Sequence, residues 1–384
     1  MKKALLITLF LCFAISCSRK SSPVGSDLFD RINENTVSYK LLYTVSADTF
    51  FQTSINMGNS AYLYIGRQQD VIAHTLIRFE TKPDSGILDS TIAKMFASRS
   101  LDGSSAPMTV RMIECRVPWD EYEIRWDTWD KVQNGFLGNE IGRFTLHPES
   151  DTILFSLPND RVREWSESDQ SNYGLMLTSD DADFIMELYS KNAPTDDTTQ
   201  TVSHPYSTSY VTRNGETLQS SRLVTQDAVL VSRKVEPTAE RMWIHNGLGL
   251  RTFIKVEVEG IPENATVNKA LLILRPDTTL SFPDNKPFDF LVYPVTSETW
   301  ELPNIPFDPS GVQTGRIEGD SAAVDITFFL QNWIFGSEKN FGLILSGNLE
   351  TTNLTSRAFY TTTADSLFRP HIRLYYTLPP SSRY

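Results

Sequence analysis

The chain of 384 residues lacks the parts from which many functions are built. It holds three cysteines, and two of them, Cys12 and Cys17, fall in the first seventeen residues. Cys115 is left alone, so no intramolecular disulfide staples the body, and within "TVRMIECRV" it reads as a small apolar residue of a strand. No apolar run is long enough to cross a bilayer. The longest, in "MKKALLITLFLCFAISC", spans about a dozen residues, where a membrane-spanning helix needs about twenty. Positive charge is also short: 35 Lys and Arg stand against 47 Asp and Glu, a formal net charge of −12. That balance excludes general nucleic-acid binding and a basic membrane-hugging surface. There is no His-Glu-x-x-His, no Gly-x-Ser-x-Gly elbow, no phosphate loop and no dinucleotide fingerprint. The five histidines, His74, His147, His204, His245 and His371, are scattered without metal-ligand spacing.

What is present begins with the leader. Two lysines, a short apolar run and small residues before Cys17 read as a secretory signal over 1–16. Ala14-Ile15-Ser16-Cys17 resembles the bacterial lipoprotein box, which implies that Cys17 is acylated and becomes the mature N-terminus. Ser18 is not the Asp that often marks retention in the inner membrane, so attachment to the outer membrane or cell surface of a Gram-negative bacterium is expected. Loss of the leader with Lys2 and Lys3 takes the charge from −12 to −14. Residues 17–37, opening "CSRKSSPVGSD", read as a lipidated flexible tether.

The rest of the chain says the same things twice. "VREWSESDQSNYGLML" (Val162 to Leu177) and "LQNWIFGSEKNFGLIL" (Leu330 to Leu345) share a Trp, an aromatic eight residues on, and Gly-Leu with two further apolar residues. Four more pairs follow in the same order. Asp48–Ile65 aligns without a gap on Asp227–Ile244, "HTLIRFE" (His74–Glu80) on "RTFIKVE" (Arg251–Glu257), "STIAKMF" on "KALLILR", and "HPYSTSYVT" (His204–Thr212) on "RPHIRLYYT" (Arg369–Thr377). Each half reads as short alternating strands separated by turn residues, the pattern of an all-β sandwich. Val162/Trp165 and Phe329/Trp333 have helical spacing, with Gly336 placed to end the second helix. A short helix therefore precedes a nearly continuous apolar strand in each half, and the Gly of that strand lets a neighbour lie close over its backbone. The expected layout is a first sandwich over 38–214 and a second over 215–384.

The order of "SADTFFQTS", "YLYIG", "HTLIRFE", "WDEYEIRW", "VDITFFLQNW" and "NFGLIL" resembles the DNRLRE-domain family. The family's strand appears as His74 to Glu80, its Trp element as Trp119, Glu121, Ile124 and Trp126, and its Val-Asp-Ile-Thr at 324–327. The second copy is looser, with Arg251 and Lys255 for His74 and Arg78, and only Trp300 of the Trp element. The resemblance implies secreted tandem jelly rolls, grouped with carbohydrate-binding modules, some of them for acidic polysaccharides.

The outward side of "HTLIRFE" places His74 and Arg78 around Leu76, and the second copy places Arg251 and Lys255 around Phe253. A guanidinium binds a sugar carboxylate through paired hydrogen bonds, and the apolar neighbour offers a surface to a pyranose ring. These four residues, with Trp129 as an exposed stacking ring, are the expected glycan contacts. The competing expectation pairs Arg78 with Glu80 or a cross-strand acid on an ordinary solvated sheet. Trp119 and Trp126 read as core. "GDSAA" at 319–323 reads as a turn rather than a nucleophile. Asp180, Asp181 and Asp183 offer the oxygens calcium takes, but they fit no calcium loop and read as a solvated turn, so no cofactor is expected. The expected function is non-catalytic binding of a polysaccharide or cell-envelope glycan, two sites gaining by avidity, with the membrane touched only through the lipid. The alternatives are a structural or adhesive lipoprotein with a protein partner and, behind it, a glycan hydrolase or lyase.

Overall fold

The computed structural model describes residues 38–68, 70–101, 105–127, 135–167, 171–181, 183–194, 204–233, 238–258, 260–281 and 288–378. The leader, Cys17, the tether and Trp129 lie outside them. The described chain is all-β. It opens on β1 (Ser38–Gln52), followed by β2 (Tyr62–Gln68), β3 (Val71–Phe79), β4 (Ile87–Ser100), β5 (Met108–Cys115), β6 (Leu137–Leu146) and β7 (Thr152–Leu157). Helix α1 (Asn159–Glu167) leads into β8 (Leu175–Thr178), β9 (Ile185–Tyr189), β10 (Tyr206–Arg213) and β11 (Glu216–Arg233). The second half runs β12 (Arg241–His245), β13 (Leu250–Val256), β14 (Thr266–Leu274), β15 (Pro276–Asp277), β16 (Asp289–Pro294), β17 (Gln313–Glu318) and β18 (Ser321–Asp325). Helix α2 (Thr327–Phe335) then precedes β19 (Leu343–Gly347), β20 (Ser356–Tyr360) and β21 (His371–Thr377).

All named pairings are antiparallel, and the two halves repeat one topology. In the first, β6-β5-β8-β3-β11-β10-β4-β7 run side by side; in the second, β17-β16-β19-β13-β1-β21-β14-β18 do so. The aligned segments correspond register by register. Tyr210 faces Ser90 where Tyr375 faces Lys269, and Asp227 faces Ile77 where Asp48 faces Ile254.

That last equivalence corrects the expected domain layout. β1, the first strand of the first repeat, completes the second sandwich, pairing with β21 through Ser38–Thr44 and with β13 through Val45–Gln52. Reciprocally, β11 completes the first, pairing with β10 and then with β3. The expected boundary after residue 214 falls inside a two-residue hairpin turn. Asn214 (φ 54°) and Gly215 (φ 83°) both adopt the left-handed conformation that such turns need, and Arg213 faces Glu216 across it. This tight turn leaves β11 no choice but to fold back on β10 in its own half, so the matching edge of the second sandwich falls to β1.

The sandwiches also share packing. One apolar cluster continues from Met57, Val229 and Val231 to Trp243, Leu248 and Ala358 of the second half. The Arg233 guanidinium of β11 lies 4.6 Å from the Trp243 ring centroid.

Both helices stand where the Trp spacing puts them. Val162 and Trp165 are buried under α1, and Phe329, Leu330, Trp333 and Ile334 under α2. Gly336 (φ 71°) ends α2, its N–H bonding back to the last turn. β8 and β19 lie between two neighbours each and are fully buried. A Cβ at Gly174 would come within 2.6 Å of the Ile77 carbonyl oxygen, and one at Gly342 within 2.6 Å of that of Ile254 and 2.7 Å of the Phe253 ring. The turn at 319–320 closes the β17–β18 hairpin, Glu318 facing Ser321.

Candidate functional site

Alternation places the side chains of β3 and β13 as read, but the expected outward face is not open. In the first sandwich the connection from β5 to β6 folds over it. Trp119, Ile124 and Phe136 pack on Leu76, Ile113, Cys115, Met176, Ala228 and Leu230 as a satellite core. Trp119 is anchored by its indole N–H, which donates to the Tyr173 carbonyl at 2.6 Å. Cys115 is buried, and burial pushes its thiol well above the ordinary range. In the second sandwich the β16–β17 connection does the same, with Ile305, Trp300 and Phe307 covering Phe51, Phe253 and Ile344.

The predicted contact residues are consequently spent on internal partners, which corrects the groove reading. His74 stacks on Trp126 (5.6 Å, 6° between planes) and holds Thr178 Oγ1 at 2.7 Å through Nδ1. Burial lowers its pKa to about 4. Arg78 donates to Gln226 Oε1 at 3.4 Å and lines, with Glu80, Thr81, Lys82 and Trp165, a cavity of about 50 Å³, room for little more than a water. Arg251 is held by Glu350 through two bonds of 3.0 and 2.7 Å. Lys255 Nζ donates to the Asn340 carbonyl at 2.7 Å. A polar residue here ties the cap and the neighbouring loops to the sheet. Asp180 pairs with Arg111 at 2.7 Å and Asp181 accepts from Ser179 Oγ at 2.8 Å. Among the described residues no group of three or more His, Cys, Asp or Glu is placed to hold a metal.

One buried ionic cluster lies under the first cap. Lys191 bonds Glu121 at 2.7 Å, Glu121 accepts from the Asp227 amide at 3.2 Å, and Asp227 accepts from the Lys191 amide at 2.7 Å. Burial raises the Asp227 carboxyl to about 7. Its counterpart Asp48 accepts from the Thr362 amide at 2.7 Å, so the carboxylate is a strut present in both repeats. Neither lines a described cavity.

The open surface lies on the opposite sheet of the first sandwich. There β7, β4, β10 and β11 present a ladder of outward residues. Leu154, Lys94, Tyr206 and Leu223 form one rung; Ser156, Ile92, Thr208 and Ser221 form the next; Ser90, Tyr210 and Gln219 follow. A groove of about 390 Å³ runs over it, lined by Ile92, Lys94, Leu154, Ser156, Tyr206, Thr208 and Tyr210. Lys94 Nζ sits 4.8 Å from the Phe96 ring centroid and 5.7 Å from that of Tyr206. Tyr206 and Tyr210 are half-buried on one strand, about 13 Å apart at the usual rise of 3.3 Å per residue. The second sandwich carries His371, Arg373 and Tyr375 at the corresponding positions of β21. A second cavity, of about 410 Å³, opens between the sandwiches against Gln52–Ile55, Trp126, Asp127, Val229 and Leu248.

Sequence reasoning aligned "HPYSTSYVT" with its repeat yet missed the groove. The inner residues of β10 are Ser207 and Ser209, which bond the Glu80 carbonyl at 2.8 Å and Thr91 Oγ1 at 3.0 Å. Hydroxyls on both faces leave no hydropathy alternation to say which face is out. The spacing of two tyrosines four residues apart in a strand was the signal available. Compared with family models and with curated proteins, the chain matches none of either.

Proposed function

We propose that this chain is a glycan-holding protein of the bacterial envelope, tied to a membrane by acylated Cys17, that binds a polysaccharide without cleaving it. The observation that carries the reading is the Tyr206–Tyr210 groove. It is shallow and open at the sheet face, as a long ligand needs. It offers two aromatic faces for pyranose rings, an exposed hydroxyl at Ser156 for sugar hydroxyls, and one fixed cation at Lys94. The resemblance to DNRLRE modules supports the same function, moved from the capped sheet face to the open one.

The test is a glycan array with the chain lacking residues 1–25, at low salt, followed by Tyr206→Ala/Tyr210→Ala. Stacking on each half-buried tyrosine ring is worth on the order of 1 kcal/mol. Loss of both is therefore expected to weaken retention by more than about tenfold with the fold unchanged. Retention on no glycan, or retention indifferent to both tyrosines, sinks the assignment.

A further inference from the structure

The two helices are equivalent residue for residue, nine residues each, with Trp165 standing where Trp333 stands. Their exposed faces are opposites. α1 reads "NDRVREWSE", with five charged residues, and exposes Asp160 and Glu167. α2 reads "TFFLQNWIF", with none, and at the matching positions exposes Phe328 (61%) and Phe335 (59%). Positions seven apart share a helix face, so two phenylalanines project together where the first repeat projects two acids. The packing of the buried side does not require this, because α1 packs as well with acids outside.

The place of α2 identifies what covers that face. Gln331 accepts from the Val267 amide at 2.6 Å and donates to the Ala265 carbonyl at 3.4 Å, seating the middle of the helix beside the start of β14. At that end of β14 Thr377 faces both Thr266 and Ser38, the first residue of β1. From Ser38 back to Cys17 is 21 residues, a reach of at most about 70 Å. We infer that the Phe328–Phe335 face of α2 rests on the lipid bilayer to which Cys17 is tied, so that the second sandwich lies on the membrane and the groove of the first is held away from it. The inference rests on acylation of Cys17, which supplies the lasting anchor, the phenylalanine face adding a weak contact that shows by itself only at high lipid concentration. An uncharged apolar helix face entering the headgroup layer loses no charge solvation, whereas the acids of α1 in the same place would.

The first repeat supplies the test substitution. Phe328→Asp with Phe335→Glu gives α2 the residues α1 already carries, and the reverse pair, Asp160→Phe with Glu167→Phe, builds the face on α1. The chain without residues 1–17 is sedimented with phosphatidylethanolamine–phosphatidylglycerol vesicles at high lipid concentration, so that no acyl chain contributes. Its vesicle-bound fraction is expected to fall about tenfold in the α2 variant and to rise in the α1 variant, with unchanged circular dichroism and melting. Metabolic acyl labelling with Cys17→Ala reports on the anchor separately. No vesicle binding by the parent chain overturns the inference, as does a concentration-dependent dimer that the α2 substitutions dissolve.

Discussion

Laid strand against strand, the two sandwiches agree in topology and differ at nearly every residue that topology does not need. In the second, the β17–β18 hairpin closes a ring of eight strands, β1, β21, β14, β18, β17, β16, β19 and β13; in the first, no β6–β7 pairing closes the matching eight among the described residues. Where Tyr64 faces Glu187 in β2 and β9, Trp243 faces Ala358 in β12 and β20. Glu187 is buried with Arg99 and Ser98 bonded to it, whereas Trp243 packs into the cluster that joins the halves. What both keep is the frame: the capped outer face, the helix before the central strand, and the long strand that links two sheets. What each changes is its surface. One copy has a tyrosine groove and an acidic helix, the other charged strands and a phenylalanine helix. A duplicated scaffold has thus kept its packing twice and specialised its outside once in each direction.

The largest effect that would break this comparison concerns the exchanged strands. Starting the chain at residue 53 removes β1, and with it the hydrogen bonds that join β13 to β21. Amide exchange is expected to show protection lost across β13, β14 and β21 while β3, β4 and β10 keep most of theirs. Loss in the first sandwich instead would mean that β1 belongs there. A milder version is Phe51→Ala, at a cost of about 3–5 kcal/mol. Its damage should likewise appear in the second sandwich, where Phe51 packs on Phe253 and Ile344.

A smaller effect sharpens the equivalence. Gly174→Ala and Gly342→Ala each place a Cβ 2.6 Å from a carbonyl oxygen at a positive φ of 85° or 105°. Backbone strain of this kind costs about 1–3 kcal/mol before the clash is counted. The two substitutions should lower the melting temperature comparably, and Gly342→Ala somewhat more because the Phe253 ring must also move. A neutral result at either position would show that the joint is not equally tight in both repeats.

The repeat, the strands, the helix-to-strand joint and the core tryptophans were legible because each rests on local periodicity. The exchange was legible too, in "TRNGET", since Asn-Gly between alternating runs demands a hairpin and not a boundary. It was missed because alignment of two repeats assumes that each copy folds on itself. The capped face was not legible. His74, Leu76 and Arg78 alternate as an exposed row would, and only the burial of Leu76 under Trp119 and Ile124, from a loop some forty residues on, reveals otherwise. The groove failed for the opposite reason, its strand being hydroxylated on the inside.

The smallest expected effect separates the copies by pH. At one register position the first sandwich has His74, neutral and stacked on Trp126, and the second has Arg251, paired with Glu350. The folded pKa of His74 is about 4 against an ordinary 6.5, burial outweighing the pull of Asp180 toward the charged form. Above pH 6.5 the ring is neutral folded or unfolded, and its full contribution is present. Between 6.5 and 4 the unfolded chain binds a proton that the folded chain refuses, so stability falls by at most about 1.4 kcal/mol per pH unit. Asp227, raised to about 7, acts in the other sense, its contribution present at low pH and lost as pH rises from the ordinary carboxylate range through 7. The two offset each other in the window they share. Melting followed from pH 7 to 4.5 should therefore lose less in His74→Gln than in the parent and more in Asp227→Asn.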